Sequence, residues 1–392
     1  MHSAPYAYRT TAPSRYARRR VALLAVCAVL AAGGVLAVAA FSTSAHARRL
    51  SPASTPAAPL RVIAVGPSAG ATNVTGSAEV TVKFSAPLAA HSPLPAITPR
   101  IPGRWERHGP AGLRFLPSAA ALPLSTETLT IPGGAAGVRG AAGGRLRTAV
   151  HVSWQVRNGS VLAIQQVLAR LGYLPLTWTP DAGQSAGTGS TQGDLAAFYA
   201  PPAGRFAWRY QSTPRTLRAA WTPGVDNRMT AGAIVAFERR NGLPAYSSIR
   251  SVLWPVLLTA ERNGTPNPEG YTYALVSQAQ PESLTLWHDG RDVFTSVANT
   301  GIAATPTPVG TFFIYLRFAS TTMQGQNPNG SYYVDHGVRW VNYFDGGDAI
   351  HGFIRATYGF PQSLGCVELP VSNAAVAWRW LHYGTLVTVL PA

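Results

Sequence analysis

The chain has 392 residues, 46% of them apolar and only 12% charged, with a formal net charge of +16. Ten Trp, fifteen Tyr and thirteen Phe exclude wholesale disorder, and the length allows two or three domains. The basic excess raises nucleic acid as a partner, but no zinc-finger spacing, RNP-type strand or basic helix accompanies it, so none is expected.

In chain order, residues 1–20 are a basic tail, and residues 1–50 hold seven arginines and no acid. Val21–Phe41 is an uncharged apolar run, long enough to cross a bilayer as one helix. Arg15, Arg18, Arg19 and Arg20 before it outweigh Arg48 and Arg49 after it, which predicts a single-pass membrane anchor, N-terminus inside and the bulk outside. Ala45–Ala47 is an acceptable cleavage site, so a removed signal peptide and a secreted protein is the alternative. Either way Cys27 is membrane-embedded or removed. Cys366, the other of two cysteines, then has no intramolecular partner outside the cell.

Residues 42–59 are a Pro/Ala/Ser linker. From 60 to 156, the alternating stretches "EVTVKF", "GLRFLP", "TETLTIP" and "AVHVSWQV" predict a small β-sandwich. The "VTVKFSAPL" strand resembles those of bacterial Ig-like domains.

From 157 to 262 the period becomes helical. Val161, Ile164, Val167, Leu168 and Leu171 share a stripe that Gly172 stops. A second helix carries Ile234, Val235 and Phe237, and a third, around Val252–Leu258, is bent or reset by Pro255. This order resembles the three-helix peptidoglycan-binding module, split here by a Gly/Ser/Trp-rich insertion, Thr177–Asp226. Loss of the module is expected to weaken wall binding and to leave acylation of a small substrate intact. Residues 263–270 read as a polar linker and domain boundary.

Residues 271–392 hold five basic and seven acidic residues and read as β-rich. "YTYALVSQ", "SLTLWHDG", "DVFTSVAN", "GTFFIYLRF", "RWVNYFDG" and "DAIHGFI" are strands, with Asp289-Gly290 as a hairpin turn. One helix follows from Ala374 to Tyr383, with Ser372 or Asn373 as its cap and Gly384 as its stop, and "TLVTVL" is a last strand. The fold class is therefore multidomain and mainly β: a transmembrane helix, a sandwich, a small three-helix module and a β-rich C-terminal domain with one helix.

Cys366 follows His351 by fifteen positions. By spacing alone the thiol is inert core filling, half of an intermolecular disulfide, or a nucleophile. A thiol attacks carbonyls as thiolate, and an imidazole within reach supplies that form by taking the proton. Gly365 leaves the backbone free beside the sulfur, and the Cys366 N–H becomes an oxyanion donor. The bare carbonyl of Gly352 could orient the imidazole.

"TPTPVGTF", "AIHG", "GFPQSLGCV" and "GTLVTV", in that order, resemble the L,D-transpeptidase (YkuD-like) catalytic family. The resemblance implies Cys366 as nucleophile, His351 as general base and acid, Gly352 as the carbonyl holding it, and Ser363 and Gly365 as the backbone frame of the oxyanion site. It implies peptidoglycan stem peptides as substrate and acylation of Cys366 by carbapenem-type β-lactams. Tyr343, Arg355, Tyr358, Leu364 and Glu368 are the substrate-binding candidates, with Trp340 as a further aromatic for the cleft. Two positions depart: Leu364 stands where the family usually has His, and Glu368 where it has Arg or Asn. A carboxylate there opposes a thiolate, so Arg355 is expected to neutralise it. No metal or cofactor is expected. His288, His336, Asp345 and Asp348 read as turn or loop residues, and His382 as the last helical turn. The alternatives in function are an L,D-carboxypeptidase with water as acceptor, and a non-catalytic wall-binding protein.

Overall fold

The computed structural model describes residues 57–184 and 191–392; the apolar run 21–41 and Cys27 lie outside them. Among the described residues no helix is long and apolar enough to cross a membrane. The architecture is mainly β, with several sheets.

Seven strands occupy the first span: β1 (Val62–Gly66), β2 (Val80–Phe84), β3 (Ala96–Thr98), β4 (Gly103–Arg107), β5 (Gly112–Pro117), β6 (Thr126–Ile131) and β7 (Val150–Gln155). They form two antiparallel sheets, ordered β1-β2-β5-β4 and β3-β6-β7. Alternation along each strand sends Val80, Val82 and Phe84 from one sheet, and Leu129, Ile131 and Trp154 from the other, into one core.

The helical span is richer than three helices. It contains α1 (Val161–Arg170), β8 (Leu176–Pro180), α2 (Thr191–Tyr199), β9 (Gly204–Trp208), α3 (Arg215–Ala219), α4 (Arg228–Arg240) and α5 (Leu253–Asn263). The insertion supplies α2, α3 and the antiparallel β8–β9 pair, because its Trp and Phe side chains bury against α1: Trp178 and Phe198 are in the same core as Ile164 and Leu168. Tyr199 reaches the sandwich, where its hydroxyl donates to Ala121 O at 2.7 Å. Pro255 does not bend α5. It sits in the first turn, where backbone N–H groups have no intrahelical acceptor, and the helix runs on to a left-handed Gly264. The stretch read as a linker is tied down: Asn267 N–H donates to Leu171 O at 2.7 Å, and its side chain donates to Gly270 O at 2.8 Å.

The last span holds β10 (Thr272–Ser277), β11 (Ser283–His288), β12 (Arg291–Val297), β13 (Gly310–Phe313), β14 (Leu316–Gln326), β15 (Tyr332–Asp345), β16 (Asp348–Gly352), β17 (Val367–Leu369), α6 (Val371–Trp378) and β18 (Leu386–Leu390). Asp289 and Gly290 both take positive φ in the β11–β12 turn, as a tight hairpin demands. "GTFFIYLRF" is not one strand. It breaks at Ile314-Tyr315, where the chain passes from the sheet β12-β11-β10-β18-β13 to the sheet β14-β15-β16-β17. Helix α6 starts at Val371 with Pro370 at its N-cap, so neither Ser372 nor Asn373 caps it, and Asn373 instead donates to Ser296 Oγ at 2.8 Å. It ends at Trp378, which leaves His382 in a turn, 3.3 Å from Glu269.

The five-stranded sheet is covered on both faces. Tyr273, Trp287, Phe313 and Leu386 pack into the core of the helical span, while Ala274, Val276, Leu284, Leu286, Val387 and Val389 face the second sheet and α6. Helix α4 meets this domain backbone to backbone: a Cβ on Gly232 would lie 2.6 Å from Gly384 O and 3.3 Å from Phe313 Cβ. The helical span is thus half of a shared core, and the expectation that its removal spares acylation is replaced by the opposite one. Deleting residues 157–262 should expose four large side chains and abolish folding of the rest. More finely, Gly232→Ala should destabilise the protein by about 1–3 kcal/mol through overpacking. Chemical denaturation reads this as a lowered midpoint of a single transition spanning both parts. Two separate transitions would show that the parts fold independently.

Candidate active site

The site is set by a three-residue parallel pairing. β16 and β17 align Ile350 with Val367, His351 with Glu368, and Gly352 with Leu369. Side chains alternate, so Ile350, Val367 and Leu369 enter the core beneath α6, and Ala349, His351, Cys366 and Glu368 share the opposite face. Cys366 and His351, separated by a fourteen-residue loop, therefore stand on adjacent strands of one surface. Cys366, which is half-buried, packs with Tyr343, Phe353 and Met323 against the small core of Val338, Val341 and Ala349.

Gly352 O lies 3.2 Å from His351 Nδ1. A carbonyl can only accept, so Nδ1 carries the proton and Nε2 is left with a lone pair. Burial depresses the His351 pKa, against which the Gly352 carbonyl and the Glu368 charge act in the opposite direction. Burial likewise pushes the Cys366 thiol up to about 12; the Ala349 N–H works against this, and the charges of Asp348 and Glu368 add to it. At neutral pH the resting pair is thiol and neutral imidazole.

The loop from Phe353 to Gly365 is fastened from within. Ser363 Oγ donates to Cys366 O at 2.5 Å and accepts from Gly365 N–H at 3.2 Å, closing the turn before the nucleophile. Gly365 has φ +122°, and any side chain there would collide with the Asp348 carboxylate. Behind the loop, buried Glu282 accepts from Thr300 N–H at 2.6 Å and from Thr300 Oγ1 at 2.7 Å, and Thr300 O receives the N–H groups of Gln362 and Ser363. Tyr358 braces the loop, donating to Phe353 O at 2.7 Å and accepting from Arg355 N–H at 3.1 Å.

Arg355 and Glu368 form the expected pair, as a two-pronged contact: Nε to Oε2 and Nη2 to Oε1, both 2.8 Å. The Glu368 side chain is 5% exposed and that of Arg355 30%. The carboxylate at this position, where the resemblance leads one to expect Arg or Asn, is thus buried and neutralised by a guanidinium from the preceding loop. Leu364 is half-buried.

Other candidates fall elsewhere. Trp340 packs on Trp378 with ring centroids 5.7 Å apart, on the α6 side rather than beside the thiol. His288 touches Thr272 Oγ1 at 2.9 Å and stacks near Trp380, and His336 meets Thr322 Oγ1 on the β14–β15 hairpin. Asp348, read as a turn residue, does join the site: it lies against Gly365, and burial raises its pKa to about 6, with the Asp345 charge adding to the rise. Tyr333, on β15, carries no motif that marks it in the sequence. Burial raises its pKa, and the charges of Cys366, Asp335 and Asp348 add to the rise. Its strand gave no local signal, because β14 and β15 are long only by pairing with each other. Among the described residues no group of three or more His, Cys, Asp or Glu converges as metal ligands would.

Residues 271–389 match the family model YkuD, the L,D-transpeptidase catalytic domain. The C-terminal part of the chain is therefore an L,D-transpeptidase catalytic domain, a domain of a cysteine enzyme family. Solved structures similar to the chain include an L,D-transpeptidase from Mycobacterium smegmatis, 15% identical over 85% of this chain and 100% of that one, with a TM-score of 0.28. L,D-transpeptidase 3 from Mycobacterium tuberculosis, carrying a faropenem-derived adduct, is 14% identical over 84% of this chain and 97% of that one, TM-score 0.28. The catalytic domain of the E. faecium L,D-transpeptidase is 26% identical over 30% of this chain and 96% of that one, TM-score 0.28. No curated protein matches the sequence.

The ion pair predicts a specific mutant pattern. Arg355→Ala leaves a buried carboxylate unpaired two residues from the nucleophile, so acylation of Cys366 should slow at least about tenfold. Adding Glu368→Gln to that variant removes the charge and should restore part of the rate. Acylation rates of the single and double mutants against pH check it; an unchanged profile in Arg355→Ala would mean the pair does not bear on the thiol.

Proposed function

We propose that this protein is a cell-wall L,D-transpeptidase, held at the outer face of the membrane by its N-terminal apolar run. The observation that carries the reading is the β16–β17 register, which sets Cys366 and His351 on one face with Nδ1 of the imidazole engaged by Gly352 O. His351 Nε2 takes the thiol proton as sulfur attacks the carbonyl of the third residue of a tetrapeptide stem. The tetrahedral oxyanion is met by the backbone N–H of Cys366, while the Gly365 N–H, engaged by Ser363 Oγ, holds the turn in front of it. As the C–N bond to the terminal D-alanine breaks, protonated His351 returns the proton to the leaving amine. The thioester that remains is attacked by an amine of a second stem, His351 removes that amine's proton, and the free thiol is regenerated.

The loop residues have supporting roles. Tyr343, Arg355, Tyr358 and Leu364 border the stem near the thiol, with Glu368 as the anchor of Arg355. Carbapenem-type β-lactams supply a strained carbonyl to the same thiol and are expected to acylate it.

Mass measurement of the purified protein after exposure to a carbapenem tests the reading. A covalent adduct is expected on the wild type and none on Cys366→Ala; an unmodified wild type would overturn it. The pH profile tests the neutral resting pair. His351 is depressed by burial, so it stays an unprotonated base down to a pH below the ordinary imidazole value of about 6.5. Acylation should therefore hold level on acidification past that value and fall only at a lower pH, where the depressed imidazole takes up its proton. On the alkaline side it should stay flat to about pH 9, where an ordinary cysteine near 8.5 would already be mostly thiolate.

A further inference from the structure

Thr307 lies in "TPTPVGTF", ahead of β13 and far in sequence from the nucleophile, yet its side chain ends directly behind it. The residue is 2% exposed. Its hydroxyl accepts from Gly301 N–H at 2.8 Å and lies 2.7 Å from Gly365 O. Because the oxygen already receives a proton from Gly301, and Gly365 O can only accept, the hydroxyl proton goes to Gly365 O.

That carbonyl belongs to the peptide unit joining Gly365 to Cys366. The unit is planar and trans, so its C=O and its N–H point in opposite directions. Holding Gly365 O on the buried Thr307 hydroxyl turns the Cys366 N–H away from the interior. This unit precedes β17, which starts at Val367, and Gly365 at φ +122° is outside strand geometry, so the Thr307 hydroxyl rather than a strand ladder holds the carbonyl. On the other side of the nucleophile, the Ser363 hydroxyl fixes Cys366 O at 2.5 Å.

We propose that Thr307 is a positioning residue for acyl transfer, holding the Gly365–Cys366 peptide so that the Cys366 N–H is presented to the oxyanion. The inference rests on the transpeptidase reading above and concerns the stabilisation of the tetrahedral intermediate rather than the reactivity of the sulfur. Those two can be separated. Attack on a β-lactam carbonyl develops an oxyanion, whereas alkylation by iodoacetamide is a displacement at carbon that develops none.

The experiment measures both rates on the full-length protein for wild type, Thr307→Val, Thr307→Ser and Thr307→Cys. Valine keeps the volume and loses the hydroxyl; serine keeps the hydroxyl; cysteine keeps the size with a weaker donor. Thr307→Val is expected to acylate with a carbapenem about tenfold to a hundredfold more slowly, as for a weakened oxyanion donor. Its alkylation rate should stay within about twofold of wild type. Thr307→Ser should acylate close to the wild-type rate, and Thr307→Cys should fall between the two, which keeps the test alive should the valine variant fail to fold. Equal losses in acylation and alkylation would make Thr307 a merely structural residue and overturn the proposal. So would a valine or cysteine variant that acylates as fast as serine. A wild type that alkylates but takes no carbapenem overturns the functional reading and this inference with it, an outcome distinct from a wild type that acylates and a valine variant that matches it.

Discussion

Three aligned residue pairs between β16 and β17 carry the active site. Parallel strands cannot be joined by a tight turn, so the chain must leave β16 after His351 and return by a crossover before Cys366. Register then does the chemical work. A slip of one residue would send Cys366 into the core beneath α6 and bring Val367 to the surface beside the histidine. The slip is resisted on both flanks: Ile350, Val367 and Leu369 fill the core, and Glu368 exchanges both backbone hydrogen bonds with Asn299 on the far side.

That core is itself shared. The five-stranded sheet has apolar side chains on both faces, one toward the second sheet and one toward the helical span. A strand buried on both faces loses water contact throughout, and Thr272–Ser277 accordingly has no exposed residue. Without the helices this sheet would present Tyr273, Trp287, Phe313 and Leu386 to solvent. The position of the nucleophile is thus supported through two layers by residues with no part in the chemistry.

Electrostatics in the cleft follow from burial. Thiol and imidazole are both pushed toward their neutral forms, which suits a base that takes the proton during attack rather than a preformed ion pair. Asp348 and Glu368 add negative charge near the sulfur, and only Glu368 is paired with a guanidinium. A departure from the family pattern at one position is thus matched by a compensating residue thirteen positions earlier in the preceding loop.

Local pattern was legible where it is periodic or stereochemically demanding. The alternation in Val80–Phe84, the helical stripe from Val161 to Leu171 and the Asp289-Gly290 turn need only neighbouring residues, and the structure has each of them. Cys366, His351 and the charge conflict at Glu368 could be read because their chemistry constrains residue type. Their partners followed other rules. The β14–β15 hairpin, the break at Ile314-Tyr315, the folded insertion and the early start of α6 all depend on which distant surface each segment covers. Thr307, behind Gly365, is an ordinary residue in sequence; packing across 58 positions gives its hydroxyl its one acceptor. Residue chemistry therefore left Cys366 three possible roles and the ordered motifs around it pointed to one of them, while register and burial, which are properties of paired strands, decided what surrounds it.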